Sequence, residues 1–184
     1  MIGSMGFARN FDLRINVAQL LKGPTGAVRR MDLCEDITRL DAELSIQSPL
    51  AGSLTLIRTA DGVLVTASLD TMIELECCRC VTPFAAPVRL QIEEEFHPSV
   101  DIHTGARLPV LDTEEDATTI DEQHFLDLAE VVRQAIFLAQ PMHPLCRGGC
   151  AGLCSQCGQD LNTERCQCMA DSVDPRLEVL KQLL

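Results

Sequence analysis

Apolar and polar residues alternate through much of the first hundred positions, the period expected of strands with one buried face. Phe11-Asp12-Leu13-Arg14-Ile15-Asn16-Val17 is the first such run, and Ala18 to Leu21 predicts a helical turn ended by Gly23-Pro24. A loop and a polar stretch with Cys34 follow. From Asp41 the signal is plain: Leu44 and Ile46, then Leu54 and Leu56, alternate with polar neighbours. Ala60-Asp61-Gly62 reads as a hairpin turn. Val63 to Leu69 and Ile73 to Cys77 predict two more strands, and Val88 to Glu93 another beyond a cysteine-bearing turn. Short strands joined by short turns imply an antiparallel sheet or a partly open barrel.

The period then changes. Residues 97–120 read as a loop, and Asp112, Glu114, Glu115, Asp116, Asp121 and Glu122 concentrate negative charge in and beside it. This is either a solvated excursion or an acidic arm for a basic partner. Residues 124–139 predict one main helix, with Phe125, Leu128, Val132, Ala135, Ile136 and Ala139 on one stripe. Asp121 is the candidate N-cap and Pro141 the stop. Asp174-Pro175-Arg176-Leu177 opens a short terminal helix whose Leu177, Leu180, Leu183 and Leu184 dock on the core or in a partner's groove. The expected fold class is α+β. A β-rich domain spans 1–140, and a cysteine-rich, zinc-ribbon-like segment spans 141–184 and packs on it.

Charge and composition narrow the function classes. The formal net charge is −12, and no dense Lys/Arg run is present; Lys22, Arg29 and Arg30 are the best basic set. A phosphate backbone repels such a chain, so basic proteins are favoured partners over bare RNA. Aromatics make up only 3% of the residues, six Phe with no Trp or Tyr, which leaves the stacking platforms used for single-stranded nucleic acid nearly absent. No segment near ~20 apolar residues is present to span a bilayer, and the N-terminus lacks the apolar run of a signal peptide. The expected location is the cytoplasm. Ten cysteines in that reducing compartment point to metal rather than disulfides.

The cysteines fall at metal-ligand spacings. Cys154-Ser155-Gln156-Cys157-Gly158 is a turn whose backbone N–H groups can point at two sulfurs, and Cys166-Gln167-Cys168 supplies two more. Cys146 and Cys150 precede this set. Cys77 and Cys80 form a second C-x2-C between two expected strands. Cys154, Cys157, Cys166 and Cys168 are a plausible complete four-sulfur site, and Cys77 and Cys80 need Cys146 and Cys150 or members of the later set. Eight thiols thus make two structural Zn²⁺ sites, or one site draws on both segments and staples the tail to the sheet. Cys34 and Cys78 are read as non-ligands, while His143 is an alternative ligand near the cluster. An iron–sulfur cluster is the competing occupant. Cys150-x3-Cys154-x2-Cys157 has the spacing of a radical S-adenosylmethionine triad, but no βα repeats follow it.

Catalysis finds little support. The four histidines sit in no metal-hydrolase context, and Gly148-Gly149 lacks the strand–loop–helix setting of a phosphate cradle. A binding protein is expected rather than an enzyme.

Taken in order, these motifs resemble the YceD-type family of large ribosomal RNA subunit accumulation proteins. The resemblance rests on Cys77-x2-Cys80, the strand ending near Glu94-Glu95-Phe96, the helix segment Leu128 to Val132, and Pro141-Met142-His143-Pro144-Leu145-Cys146. It continues through Gly152-Leu153-Cys154-x2-Cys157-Gly158, Leu161-Asn162, Cys166-x-Cys168 and Asp174-Pro175-Arg176-Leu177. Cys78 departs from the pattern by making the first knuckle Cys-Cys-Arg-Cys. The resemblance implies support of 23S rRNA accumulation and large-subunit assembly, with no established catalytic residues. The implied partner is a large-subunit ribosomal protein or a pre-ribosomal particle, and the charge disfavours direct rRNA contact. A zinc-ribbon nucleic-acid binder and an iron–sulfur or thiol redox protein are the alternatives.

Overall fold

Seven strands and two α-helices carry residues 13–108 and 116–168, the residues that the computed structural model describes. In chain order they are β1 (Arg14–Asn16), α1 (Ala18–Leu21), β2 (Val28–Glu35), β3 (Leu50–Arg58), β4 (Val63–Glu76), β5 (Pro83–Pro98), β6 (Thr119–Ile120), β7 (Phe125–Asp127) and α2 (Ala129–Ala139). The main sheet runs β2-β3-β4-β5-β6. Its pairings are antiparallel except for the two-residue contact of β5 with β6. β1 pairs antiparallel with β7 in a separate ribbon. This is an α+β fold with an open sheet, and the described residues form no closed barrel.

The longest hairpin, β4–β5, organises the rest. Val63, Val65, Ala67, Leu69, Thr71 and Ile73 of β4 face the core, as do Val88, Leu90, Ile92 and Phe96 of β5. Leu69 lies opposite Leu90, and Val63 opposite Phe96. Each such leucine contributes roughly 1.5–3 kcal/mol by leaving water. The two strands expected on either side of residue 70 are one, because Asp70 and Met72 fall on the solvent face and keep the period unbroken. The β3–β4 turn packs tightly against β5 at Gly62, where an added Cβ would come 2.0 Å from the Phe96 carbonyl oxygen.

Two segments differ from the pattern reading for physical reasons. Val28–Glu35 carries only Leu33 as a fully buried side chain, so alternation is faint, yet it pairs along its whole length with β3 as an edge strand. Leu44 and Ile46 are buried without forming a strand; Ile46 makes a single bridge to Ile73.

The main helix begins at Ala129 rather than at residue 124. Phe125–Asp127 is drawn into pairing with β1, and His124 adopts a positive φ of 63° that no helix accommodates. Asp121 therefore caps a turn, accepting from the Gln123 and Phe125 backbone N–H groups, and also pairs with Arg14. The N-cap position falls on Leu128, which offers no side-chain cap, and Asp127 Oδ1 accepts from the first helical N–H, that of Ala129, at 2.9 Å. Val131, Val132 and Ile136 bury the apolar stripe, and Gln140 turns extended ahead of Pro141. The leucine stripe of residues 174–184, and residues 109–115 of the acidic stretch, lie outside the described residues.

The other face of the sheet is open to solvent. Its centre is small and polar, with Ser53, Thr55, Thr66, Ser68 and Gln91. Around this centre stand the carboxylates of Asp32, Asp70, Glu74, Glu76, Glu93 and Glu95, against two cations, Arg30 and Arg89. Asp70 and Arg89 pair with one another at 2.9 Å. No helix among the described residues is long and apolar enough to cross a membrane.

Candidate metal centres

The turn that closes β4–β5 at its far end is the first knuckle. Cys77 follows the last residue of β4, and Cys80 stands shortly before β5. Cys77 N–H donates to the Thr82 carbonyl at 3.1 Å, and Val81 N–H donates back to the Cys77 carbonyl at 2.9 Å. After α2 the chain returns to this turn, where the Pro144 carbonyl accepts from the Cys78 N–H at 2.9 Å. That contact delivers Cys146 and Cys150. Cys77, Cys80 and Cys150 are buried with Phe84 and Leu145 against them, in a small apolar cluster apart from the main core.

A second knuckle follows after three residues. Cys154 N–H donates to the Gln159 carbonyl at 2.8 Å, and Gly158 N–H to the Cys154 carbonyl at 2.9 Å. Gly158 has the positive φ, 73°, that this turn needs. A short loop then brings back Cys166 and Cys168. In this group Cys154 and Cys166 are half-buried, while Cys157 and Cys168 are exposed.

The eight sulfurs thus divide into two quartets, Cys77, Cys80, Cys146 and Cys150 in one and Cys154, Cys157, Cys166 and Cys168 in the other. Within each quartet the sulfurs all lie within 4.8 Å of one another. Cys77 and Cys150 are 3.8 Å apart, Cys80 and Cys146 3.7 Å, and Cys154 and Cys166 3.5 Å. Tetrahedral sulfurs at ~2.3 Å from one ion are about 3.8 Å from each other, so the spacing suits a single ion. It is far too long for disulfides at ~2.05 Å, and all ten cysteines are free. Each quartet can hold a metal ion.

The electrostatics of the sulfurs fit the same conclusion. The Cys146 backbone N–H does most to bring the Cys77 thiol down to about 6, opposed by burial and helped by the N–H groups of Cys80 and Arg79. In the second quartet the N–H groups of Cys157 and Gln156 bring Cys154 to about 6. Burial raises Cys150, but the Asn162 amide and the Gly152 N–H outweigh it and leave that thiol lowered. Burial, then the neighbouring sulfurs, push Cys146 up to about 12; hydrogen bonding with Cys157, then burial, does the same to Cys168. Some sulfurs ionise early and others are held protonated by burial and by hydrogen bonding to their neighbours, with the charge of nearby thiolates adding to the effect. A divalent cation offsets that charge.

Other candidates fall outside the quartets. Cys34 is exposed on β2, Cys78 is exposed on the first knuckle, and His143 is exposed and belongs to neither group. The Cys150/Cys154/Cys157 triad is split between the quartets, so that spacing is coincidental. Sequence reasoning missed two residues that bind the quartets together. Arg79 donates to the Cys150 carbonyl at 2.9 Å, and its own carbonyl accepts from the Leu153 N–H at 3.1 Å. Asn162 donates to Cys150 Sγ at 3.4 Å. Leu161-Asn162 stood out only as part of the family series, with no chemical signal of its own.

An open antiparallel sheet with a C-terminal segment built on two four-cysteine quartets defines an α+β protein whose tail is suited to structural metal. Residues 65–184 match the family model described as large ribosomal RNA subunit accumulation protein YceD. The chain belongs to the YceD family. It is 28% identical over 176 residues to an uncharacterized protein of Mycobacterium tuberculosis, covering 94% of this chain and 81% of that one. The figures are the same for an uncharacterized protein of Mycobacterium bovis. A Zea mays protein described as large ribosomal RNA subunit accumulation protein YCED homolog 1, chloroplastic, is 27% identical over 176 residues, 83% of this chain and 60% of that protein. No solved structure matches the chain.

Proposed function

We propose that this protein supports accumulation of 23S rRNA and assembly of the large ribosomal subunit, as a non-enzymatic factor that binds a basic ribosomal protein or an assembly intermediate. Family membership supports the ribosomal role. The observation that carries the partner class is the open sheet face, where six named carboxylates outnumber two arginines on a chain of net charge −12. Such a face attracts and shields a cationic protein, which rRNA later strips away. Near-absent aromatics weigh against stacking on bare RNA.

In this reading both quartets hold structural Zn²⁺. Four thiolates and no open position suit zinc and leave no vacant site for chemistry. The segment 141–184 then acts as a small metal-held unit on the 1–140 domain, and the protein works in the cytoplasm. Affinity capture from a reduced lysate at moderate salt tests the partner class. Recovery of a basic large-subunit ribosomal protein, released as salt rises, is expected. Retention of rRNA after all ribosomal proteins are stripped would overturn it.

A further inference from the structure

The loop between Cys157 and Cys166 belongs to the second quartet, yet its Asn162 serves the first. Asn162 Nδ2 donates to Cys150 Sγ at 3.4 Å. Its Oδ1 accepts from the Ala151 N–H at 2.8 Å and from Arg147 at 2.7 Å, inside and just beyond the Cys146–Cys150 loop. Asp160 orients the amide, accepting from Asn162 Nδ2 at 2.6 Å and from the Asn162 N–H at 2.9 Å.

The backbone runs the same way. Gly152 sits against the first knuckle, where an added Cβ would stand 3.0 Å from the Arg79 carbonyl, and its own carbonyl accepts from the Leu161 N–H at 2.9 Å. Leu153 bridges to Asp160 and donates to Arg79. The segment Gly158–Arg165 has Leu161 as its one aliphatic side chain longer than a methyl, too little to hold its shape by burial. The loop that places Asn162 is anchored at its two ends by the sulfurs of the second quartet.

Resting on the reading that both quartets take metal, we propose that they load as one coupled pair, with Asn162 the positioning residue that links them. Linkage is reciprocal: an ion at either quartet tightens binding at the other by the same factor. A donor to a ligating sulfur orients the ligand and stabilises its charged form, and losing such a contact typically weakens metal binding about 10–100-fold.

The test uses the full chain, reduced and anaerobic, titrated with Zn²⁺ against a competing chelator, with chains bearing zero, one and two ions counted by native mass spectrometry. Cys166→Ser and Cys80→Ser report the affinity of each remaining quartet alone. In the unsubstituted protein the two-ion constant should exceed the product of those single-quartet constants by about tenfold or more. Asn162→Ala, examined alone and with each cysteine change, should bring that factor to near one and raise the one-ion population. Asn162→Asp keeps the acceptor oxygen but removes the donor to sulfur, and should weaken the first quartet with an unchanged far-ultraviolet spectrum. Two independent quartets, or a coupling factor unmoved by Asn162→Ala, would overturn the coupling alone. A chain that takes up no Zn²⁺ would overturn the metal reading beneath it.

Discussion

Val81 and Gly158 hold the same place in the two knuckles. Each follows the second cysteine of a C-x2-C, each donates its N–H to the first cysteine's carbonyl at 2.9 Å, and each has positive φ, 58° and 73°. Glycine adopts that conformation freely, whereas a β-branched residue is strained there by about 1–3 kcal/mol. Val81 is 53% exposed, so little burial offsets the strain. Val81→Gly should stabilise the metal-loaded protein by about 1 kcal/mol after glycine's own backbone entropy is counted, raising its melting temperature by about 2–4 °C. Gly158→Val should lower it. Differential scanning calorimetry with Zn²⁺ present decides both.

Metal content follows from the quartets. Elemental analysis of the reduced protein should give two ions per chain. Cys77→Ser or Cys154→Ser should each leave one, and Cys34→Ser or Cys78→Ser should leave both. A strong chelator should lower the melting temperature, since ligands that bind only the folded state stabilise it. A chelator without effect would show that the quartets are empty in solution.

Much of this was legible in the sequence and some was not. The core faces of β3, β4 and β5 follow strict alternation because each buries one side only. All eight quartet cysteines are recognisable from spacing, and the partition seen here is one of the two groupings the spacing allows. The choice between them was not legible, since Cys80 and Cys146 meet at 3.7 Å across 66 positions only because the chain returns after the helix to the β4–β5 turn. The β2 strand was illegible because edge strands carry charge where interior strands carry leucine. The start of α2 was misread because Phe125 and Leu128 fit a helical stripe while β1 recruited Phe125–Asp127 as a strand. Tertiary pairing outweighed local propensity there.

Close backbone packing at Gly62 gives a stability prediction away from the metal. A methyl at this position would overlap the Phe96 carbonyl at 2.0 Å, and the same turn is tied by Thr59 and Arg58. Gly62→Ala should cost about 2–4 kcal/mol by forcing β4 and β5 apart. Urea unfolding should show a lower midpoint with an unchanged slope.

Asp101 supplies the acid dependence. Its Oδ1 accepts from the Thr104 hydroxyl and from the Thr104 and His103 backbone N–H groups at 2.6–3.0 Å. These bonds, those of Thr104 first, hold the carboxyl below its ordinary 3.8. The ionised form is favoured by folding, so its contribution is complete above pH 3.8 and disappears as pH falls through the lower folded value. Carboxyl titration by nuclear magnetic resonance should place the midpoint under 3.8, and Thr104→Ala should move it up.

Glu74 and Glu93 probe the open sheet face. Both are exposed, and neither belongs to a quartet. Glu74→Lys combined with Glu93→Lys should weaken capture of a basic ribosomal protein about tenfold or more at low salt, with the difference shrinking as salt rises. Metal content and melting temperature should stay as they were. Equal capture by the variant would move the partner surface elsewhere.

The first quartet closes a long loop, joining the tip of the β4–β5 hairpin to cysteines more than sixty residues later in the chain. A chain cut short before Cys146 carries only two of the four sulfurs, too few for a closed tetrahedral site. Closing that loop carries a conformational-entropy cost that must be met before the four sulfurs can come together. The first quartet therefore comes together only in a chain made through Cys150.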